Sequence, residues 1–357
     1  MTLSSLGWDD AFAHQFQPYT ADGLFPGRVA LEHKHAYELL GAFGPAAAEC
    51  TGKLLHAAAT RAALPAVGDW VAVRLRPGEA RADIHAILPR RTKFSRRAAG
   101  ADAVEQIVAA NIDTVLLVTA LDQDFNLRRI ERYLAVAWES GARPVVVLNK
   151  ADLHPEPAGA QAEVEAIAIG TPVVTLSATR DDPCESLAPW LQPGRTLAFL
   201  GSSGVGKSTL INQLLGSDRQ LTRSISNAVG KGRHTTTRRE LMVAPSGALI
   251  LDTPGMRELQ LWNINAGTLD TTFADIAALA AQCRFRDCTH RAEPDCAIQA
   301  ALADGTLDFE RWQSFQKLQR EQAYAARKAD PHLAHEARAE WKRLHKAARQ
   351  QARFKNR

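Results

Sequence analysis

The sequence predicts a multidomain fold with three parts: an N-terminal β-barrel of the OB type, a central α/β domain around a phosphate-binding loop, and a C-terminal α-helical metal-binding domain. Three observations carry this. Residues 25 to 90 hold five short strand-like runs separated by Gly and Pro turns. From residue 112, buried apolar runs alternate with helical spacing. After residue 266 strand signals stop, and three of the five cysteines fall between Cys283 and Cys296.

The barrel strands are read at Val29–Glu32, Ala36–Leu40, Cys50–Leu55, Trp70–Leu75 and Ile84–Leu88, with Pro26-Gly27, Gly44-Pro45 and Pro77-Gly78 as turn punctuation. A small SH3-like barrel would carry the same pattern. Arg90 to Arg97 follows as a basic, strand-poor connector, either a phosphate-contacting segment or a solvated linker. In the α/β region, strands are expected at Thr114–Thr119, Val145–Leu148, Val173–Leu176, Thr196–Leu200, Leu241–Val243 and Ala248–Leu251. Helices are expected at Leu127–Ser140, Ala160–Ile169 and Ser208–Leu215. Such alternation implies a mainly parallel sheet covered by helices. Leu269–Cys283 and Phe309–Lys328 have helical spacing on either side of the cysteines, and an Ala/Arg/Lys-rich segment continues to the end.

Gly201-Ser202-Ser203-Gly204-Val205-Gly206-Lys207-Ser208-Thr209 fits G-x-x-x-x-G-K-[ST] between a strand and a helix. The glycines let backbone N–H groups curl around phosphate oxygens at the positive end of a helix. Lys207 would bridge the β and γ phosphates, and the Ser208 hydroxyl would bind magnesium. About 45 residues later, Asp252-Thr253-Pro254-Gly255 ends a strand: Asp252 is a direct or indirect magnesium ligand, and the Gly255 N–H faces the γ-phosphate. Between them lies Gly230-Lys231-Gly232-Arg233-His234-Thr235-Thr236-Thr237, a polar loop in which Thr235 or Thr236 would complete the magnesium shell.

Asn149-Lys150-Ala151-Asp152 follows a buried strand. An Asp carboxylate accepts from guanine N1–H and N2 together, a pairing adenine cannot offer. Charged hydrogen bonds of roughly 1.5–3 kcal/mol each suffice to select GTP over ATP. Lys150 would cover the base, and Ser177-Ala178 would offer backbone N–H to guanine O6. Met256 stands where a water-positioning Gln is found in Ras-type enzymes, so His234 is the local catalytic candidate, against the plainer reading of a histidine with no part in the chemistry. The guanine motif precedes the phosphate loop, the reverse of the ordinary order, which makes this a P-loop GTPase domain in circularly permuted order.

Cys283, Cys288, His290 and Cys296 offer three thiolates and one imidazole, a closed tetrahedral zinc set without an open catalytic position. Structural stabilisation of a small helical domain is the expected purpose.

The rotated order, Gly-Arg-His-Thr-Thr-Thr at 232–237 and Cys-x4-Cys-x-His-x5-Cys together resemble the circularly permuted RsgA (YjeQ) family of ribosome-assembly GTPases. The resemblance implies an OB-fold, a permuted GTPase domain and a zinc-binding domain. It implies a factor that binds the small (30S) ribosomal subunit and its 16S rRNA late in maturation, with subunit-stimulated hydrolysis of GTP to GDP. It also places the proposed catalytic histidine of the family on His234. The domains are expected at 1–98, 99–265 and 266–330, with a basic tail at 331–357.

Charge and composition agree with an RNA partner. Arg311 to Arg357 holds 13 Lys and Arg against 4 Asp and Glu, while the whole chain is only +4. This basic end is either a phosphate-binding surface or a solvated helix. Apolar content of 46% and charged content of 23% suit a soluble globular chain, and no signal peptide or membrane span is evident, so a cytoplasmic monomer without membrane partners is expected. An odd cysteine count argues against a disulfide framework. The competing readings are a GTP-sensing RNA-binding factor in tRNA modification or large-subunit assembly, and an ATP-dependent kinase or ATPase, against which Asp152 speaks.

Overall fold

The computed structural model describes residues 1–33, 36–97, 105–216, 239–252, 266–291 and 293–329. These fall into two compact units, Met1 to Asp252 and Ala266 to Ala329.

The first unit opens on helix α1 (Asp10–Thr20), capped by the Asp9 carboxylate, which accepts from the N–H groups of Ala11 and Phe12. Its buried Phe12 and Phe16 pack with Trp8 against Trp70. The barrel strands are β1 (Phe25–Glu32), β2 (Tyr37–Gly41), β3 (Gly44–Cys50), β4 (Trp70–Leu75) and β5 (Arg81–Ile87). They pair β1–β2–β3–β5–β4–β1, a closed ring in OB order in which only β3 and β5 run parallel. Inward-facing Val29, Leu39, Ala48, Val71, Val73 and Ile84 fill it. The third strand departs from expectation. Gly41 pairs with Gly44 across a two-residue hairpin, so β3 starts early. Thr51 then caps a helix, α2 (Gly52–Ala57), by accepting the Leu54 N–H, and Cys50–Leu55 is therefore not a strand.

The basic connector is not strand-poor, and Arg90, Arg91 and Lys93 are paired, though Arg91 and Lys93 remain exposed. Lys93–Arg97 forms β6, paired antiparallel with β7 (Glu105–Ala110). Arg90 reaches the fully buried Asp69 carboxylate with two hydrogen bonds of 2.8 and 2.7 Å and also donates to the carbonyls of Ala62 and Leu64. Arg91 pairs with Asp9 and lies 3.7 Å over the Phe12 ring. Two cations of the segment read as either phosphate-contacting or solvated thus have partners within the fold.

Six strands make the α/β sheet: β8 (Thr114–Ala120), β9 (Arg143–Asn149), β10 (Val173–Thr175), β11 (Thr196–Leu200), β12 (Glu240–Val243) and β13 (Leu249–Asp252). Their order is β10-β9-β8-β11-β13-β12, parallel except for β12. Helices α3 (Leu127–Ser140), α4 (Pro157–Ile167), α5 (Pro183–Ser186) and α6 (Lys207–Leu215) complete it. The chain builds outward from β8 to β10, then returns to lay β11 on the other side of β8. The loops therefore diverge between β8 and β11, the switch point where open α/β sheets bind ligands.

β12 also bonds to β1 through Leu31 and Glu240, so barrel and α/β sheet are one hydrogen-bonded surface. Arg28, on β1 and 2% exposed, locks the same junction. It donates to Thr196 Oγ1 at 2.7 Å, to the Asn111 carbonyl at 3.0 Å, and to the carbonyls of Gly68 and Leu6. Burial pulls this guanidinium down to about 10, still charged at neutral pH.

The second unit contains α7 (Ala266–Thr272), α8 (Ala274–Ala280), α9 (Ala297–Asp304) and α10 (Phe309–Ala329). The single helix expected over Leu269–Cys283 breaks at Phe273, whose fully buried ring packs edge-on against Phe315. The Thr271 and Thr272 hydroxyls bond back to carbonyls four residues earlier, which favours a bend there. Arg311 ties α10 to α8 through two 2.7 Å bonds to Asp275. Among the described residues, no helix is long and apolar enough to cross a membrane.

Candidate nucleotide site and metal centre

The phosphate loop joins β11 to α6. Gly206 takes φ 98° directly before the helix. A Cβ there would lie 2.1 Å from Asn149 Nδ2, and one on Gly201 would lie 2.1 Å from the Val118 carbonyl, so both positions admit only glycine. Val205 is buried beneath the loop, while Ser203, Gly204, Ser208 and Thr209 are exposed along it. Lys207 Nζ donates to the Gly201 carbonyl at 2.7 Å and to that of Ser202. The first turn of α6 leaves N–H groups with no helical acceptor, next to an ammonium, an arrangement that favours an anion.

The guanine motif lies one strand beyond β8. Asn149, at the end of β9 and 2% exposed, donates to the Val205 carbonyl at 2.8 Å and accepts the Ala178 N–H at 3.0 Å. One amide thus joins the phosphate loop, the base motif and the loop after β10. Lys150, in the left-handed region at φ 60°, donates to Asp122 Oδ2 at 2.8 Å, which holds the Asp122 carboxyl below its ordinary range. Ala151 opens the 3-10 turn Ala151–Leu153 that presents Asp152. Ser177 Oγ donates to Asp152 Oδ1 at 2.6 Å, and Arg180 stands 3.5 Å from the other oxygen. The hydroxyl bond first, and then the guanidinium, keep Asp152 ionised below the usual carboxylate range.

Here the expected donors differ from the geometry. The Ser177 N–H is taken by Asp181 at 2.6 Å and the Ala178 N–H by Asn149, so the part Ser177 plays in this arrangement is to aim Asp152 through its hydroxyl. Sequence reasoning missed Asp122, and also Arg129 and Tyr133, which reach the Ser202 hydroxyl from α3 at 3.1 and 3.2 Å. Asp122 was findable, since it follows the carboxyl end of a parallel strand; the α3 residues carry no motif. Asp252 ends β13, beside β11. His234, Thr235, Thr236, Gly255 and Met256 lie outside the described residues.

In the second unit, Cys283, Cys288, His290 and Cys296 bring their ligand atoms within 4.8 Å of one another, and all the cysteines are free thiols. Cys283 Sγ is 3.9 Å from Cys296 Sγ, and both sulfurs are 3.5 Å from His290 Nδ1. Tetrahedral zinc with bonds of about 2.3 Å to sulfur and about 2.0 Å to nitrogen needs edges of about 3.8 and 3.5 Å. The donor set fits, and so do the spacings among Cys283, Cys296 and His290, with Cys288 Sγ within 4.8 Å of the others. Burial works against ionisation of Cys283, but N–H groups of Ala297 and Ile298 at the start of α9 outweigh it and hold that thiol below its ordinary value. The Glu293 carboxylate accepts from the backbone of Thr289 and Arg291 and so shapes the ligand loop around His290.

Sequence and fold both have relatives. A family profile described as RsgA GTPase matches residues 87–262. A small ribosomal subunit biogenesis GTPase RsgA of Opitutus terrae is 62% identical, with 100% of both chains covered. A protein of the same name from Syntrophotalea carbinolica is 48% identical over 91% of each chain. Among solved structures, YjeQ from Thermotoga maritima is similar at TM-score 0.63 and 26% identity, covering 84% of this chain and 98% of its own. YloQ, described as a circularly permuted GTPase, has a TM-score of 0.61 at 24% identity over 84% and 95%, a likeness of fold.

Proposed function

The chain belongs to the RsgA GTPase family, and from that premise we propose a GTP hydrolase of small ribosomal subunit biogenesis whose turnover rises on the subunit and its 16S rRNA. The observation that carries the reading is the Asn149 amide, which holds a phosphate loop and a guanine-selecting carboxylate in fixed register at the switch point of the sheet.

In this reading Gly201 to Thr209 cradle the phosphates, Lys207 neutralises their charge, and Asn149 to Asp152 with Ser177 and Ala178 form the base pocket. Magnesium, when bound between Ser208, Asp252 and a switch-loop threonine (Thr235 or Thr236), supplies further neutralisation of phosphate charge. Gly255 would meet the γ-phosphate and His234 is the candidate for orienting water, since Met256 offers no strong hydrogen bond. Zinc on Cys283, Cys288, His290 and Cys296 would be structural. The chain is read as a barrel domain (1–98), a permuted GTPase domain (99–265), a zinc domain (266–330) and a basic tail (331–357), acting as a cytoplasmic monomer. GTP turnover measured with and without purified small subunits tests this: stimulation is expected, and background turnover in both would overturn it.

A further inference from the structure

Helix α3 brings two polar side chains onto the phosphate loop. Arg129 Nη1 donates to the Ser202 hydroxyl at 3.1 Å, and the Tyr133 hydroxyl shares a hydrogen bond with it at 3.2 Å. Arg129 and Tyr133 are four apart and so lie on one helical face. All three residues are half-buried. Docking of α3 does not require these contacts, because Ile130, Leu134, Ala135 and Ala137 bury its apolar side and Asn126 caps it. They are surplus to the helix and directed at the loop.

Arg129 is braced at its own end. The Asn126 side chain accepts its backbone N–H at 3.0 Å, and its guanidinium also donates to the Asp124 carbonyl at 3.4 Å. The Asp124 N–H goes to Asp122 Oδ1 at 3.0 Å, and the other oxygen of Asp122 accepts from Lys150 at 2.8 Å. The segment from Asp122 to Tyr133 thus touches the guanine motif at one end and the phosphate loop at the other.

The loop has a use for this grip. Asn149 holds it at the Val205 carbonyl, and Lys207 holds the carbonyls of Gly201 and Ser202. In the proposed reaction Lys207 turns to the phosphates and gives up that hold. The Ser202 hydroxyl stays with α3. Two fixed points, at Ser202 and Val205, keep the loop N–H groups aimed while Lys207 moves, whereas one would leave the loop free to pivot.

We propose that Arg129 and Tyr133 are positioning residues of the nucleotide site, which act through the Ser202 hydroxyl to hold the phosphate loop in its binding shape. The inference rests on the reading of this site as a GTP site. A loop shaped in advance removes an ordering cost from nucleotide binding, so loosening it appears as lost affinity.

Calorimetric titration of the full chain with GDP and magnesium tests this, in a cycle of Arg129→Met, Ser202→Ala and the two together. Arg129→Met removes the donor and keeps most of the stem. It should weaken GDP binding about three- to tenfold in the otherwise native chain, and less than about twofold in the Ser202→Ala background. Tyr133→Phe removes one hydroxyl and should weaken GDP about two- to threefold; its own cycle with Ser202→Ala gives the same readout if Arg129→Met does not fold. A merely structural part in α3 would cost the same in both backgrounds. An equal penalty in both, or no penalty in either, overturns the inference and leaves the proposed function intact. Failure of the wild type to bind GDP overturns the nucleotide site, and the inference with it.

Discussion

At the scale of single residues, the proposed nucleotide site rests on side chains with defined donor and acceptor roles. Asp152 accepts, so Asp152→Asn removes an acceptor and adds a donor opposite guanine N1–H and N2. GTP affinity should fall at least about tenfold, consistent with charged hydrogen bonds of roughly 1.5–3 kcal/mol. Xanthosine nucleotides, which carry a carbonyl at C2, should gain; calorimetric titration with both reads the exchange, and retained guanine preference would undo the assignment. Gly206→Ala would add a Cβ 2.1 Å from Asn149 Nδ2 at a φ of 98°. The left-handed strain alone costs about 1–2 kcal/mol. Because Asn149 also holds Ala178, phosphate and base contacts should weaken together, seen as a loss of more than about tenfold in GDP affinity. These residues were legible from sequence because each motif is local. Arg129 and Tyr133 were not, since they carry no motif and meet Ser202 only after segments distant in sequence lie side by side.

At the scale of elements, the connector between barrel and α/β sheet shows how tertiary partners redefine a basic run. Arg90 neutralises the fully buried Asp69, so Arg90→Ala should leave an uncompensated charge and destabilise the first unit by about 3–5 kcal/mol. Burial favours the neutral form of Asp69, and the Arg90 pair opposes it. Chemical denaturation of the variant against wild type measures the loss; a change below about 1 kcal/mol would return Arg90 to the solvent-exposed reading. Asp9 is pulled down to about 2, first by the hydrogen bond from Arg91. A carboxyl lowered on folding contributes stability that is present above its unfolded value near 4 and lost as pH falls toward 2. The contribution is small because the pair is largely exposed. Asp9→Asn should therefore lower stability slightly at neutral pH and flatten the profile between pH 4 and 2 by the same small amount, with little change at pH 2.

At the scale of the whole molecule, zinc removal should act on one unit. Chelation leaves three thiols and a histidine within 4.8 Å of one another without the ion that would hold them. Amide exchange should accelerate across α8 and α9 while strands β8 to β13 keep their protection; uniform acceleration would sink the idea that the metal stabilises its own unit. By itself the sequence determined what local chemistry determines: the strand–loop–helix around Gly201–Ser208, the strands of the parallel sheet, the Cys3His set and the rotated motif order. Periodicity and spacing act within a few residues, and those features need no more. Only the tertiary structure decided that Thr51 begins a helix, that α7 and α8 break at Phe273, and that Arg90 pairs with the buried Asp69 while Arg91 pairs with Asp9 at the surface. Closure of the barrel in OB order, its continuity with the α/β sheet through Leu31 and Glu240, and the buried Arg28 reaching Thr196 belong to the same class. The physical reason is common to all of them. Burial and pairing between segments far apart in sequence outweigh local preference, and the sequence pattern does not record which distant partner a side chain will meet.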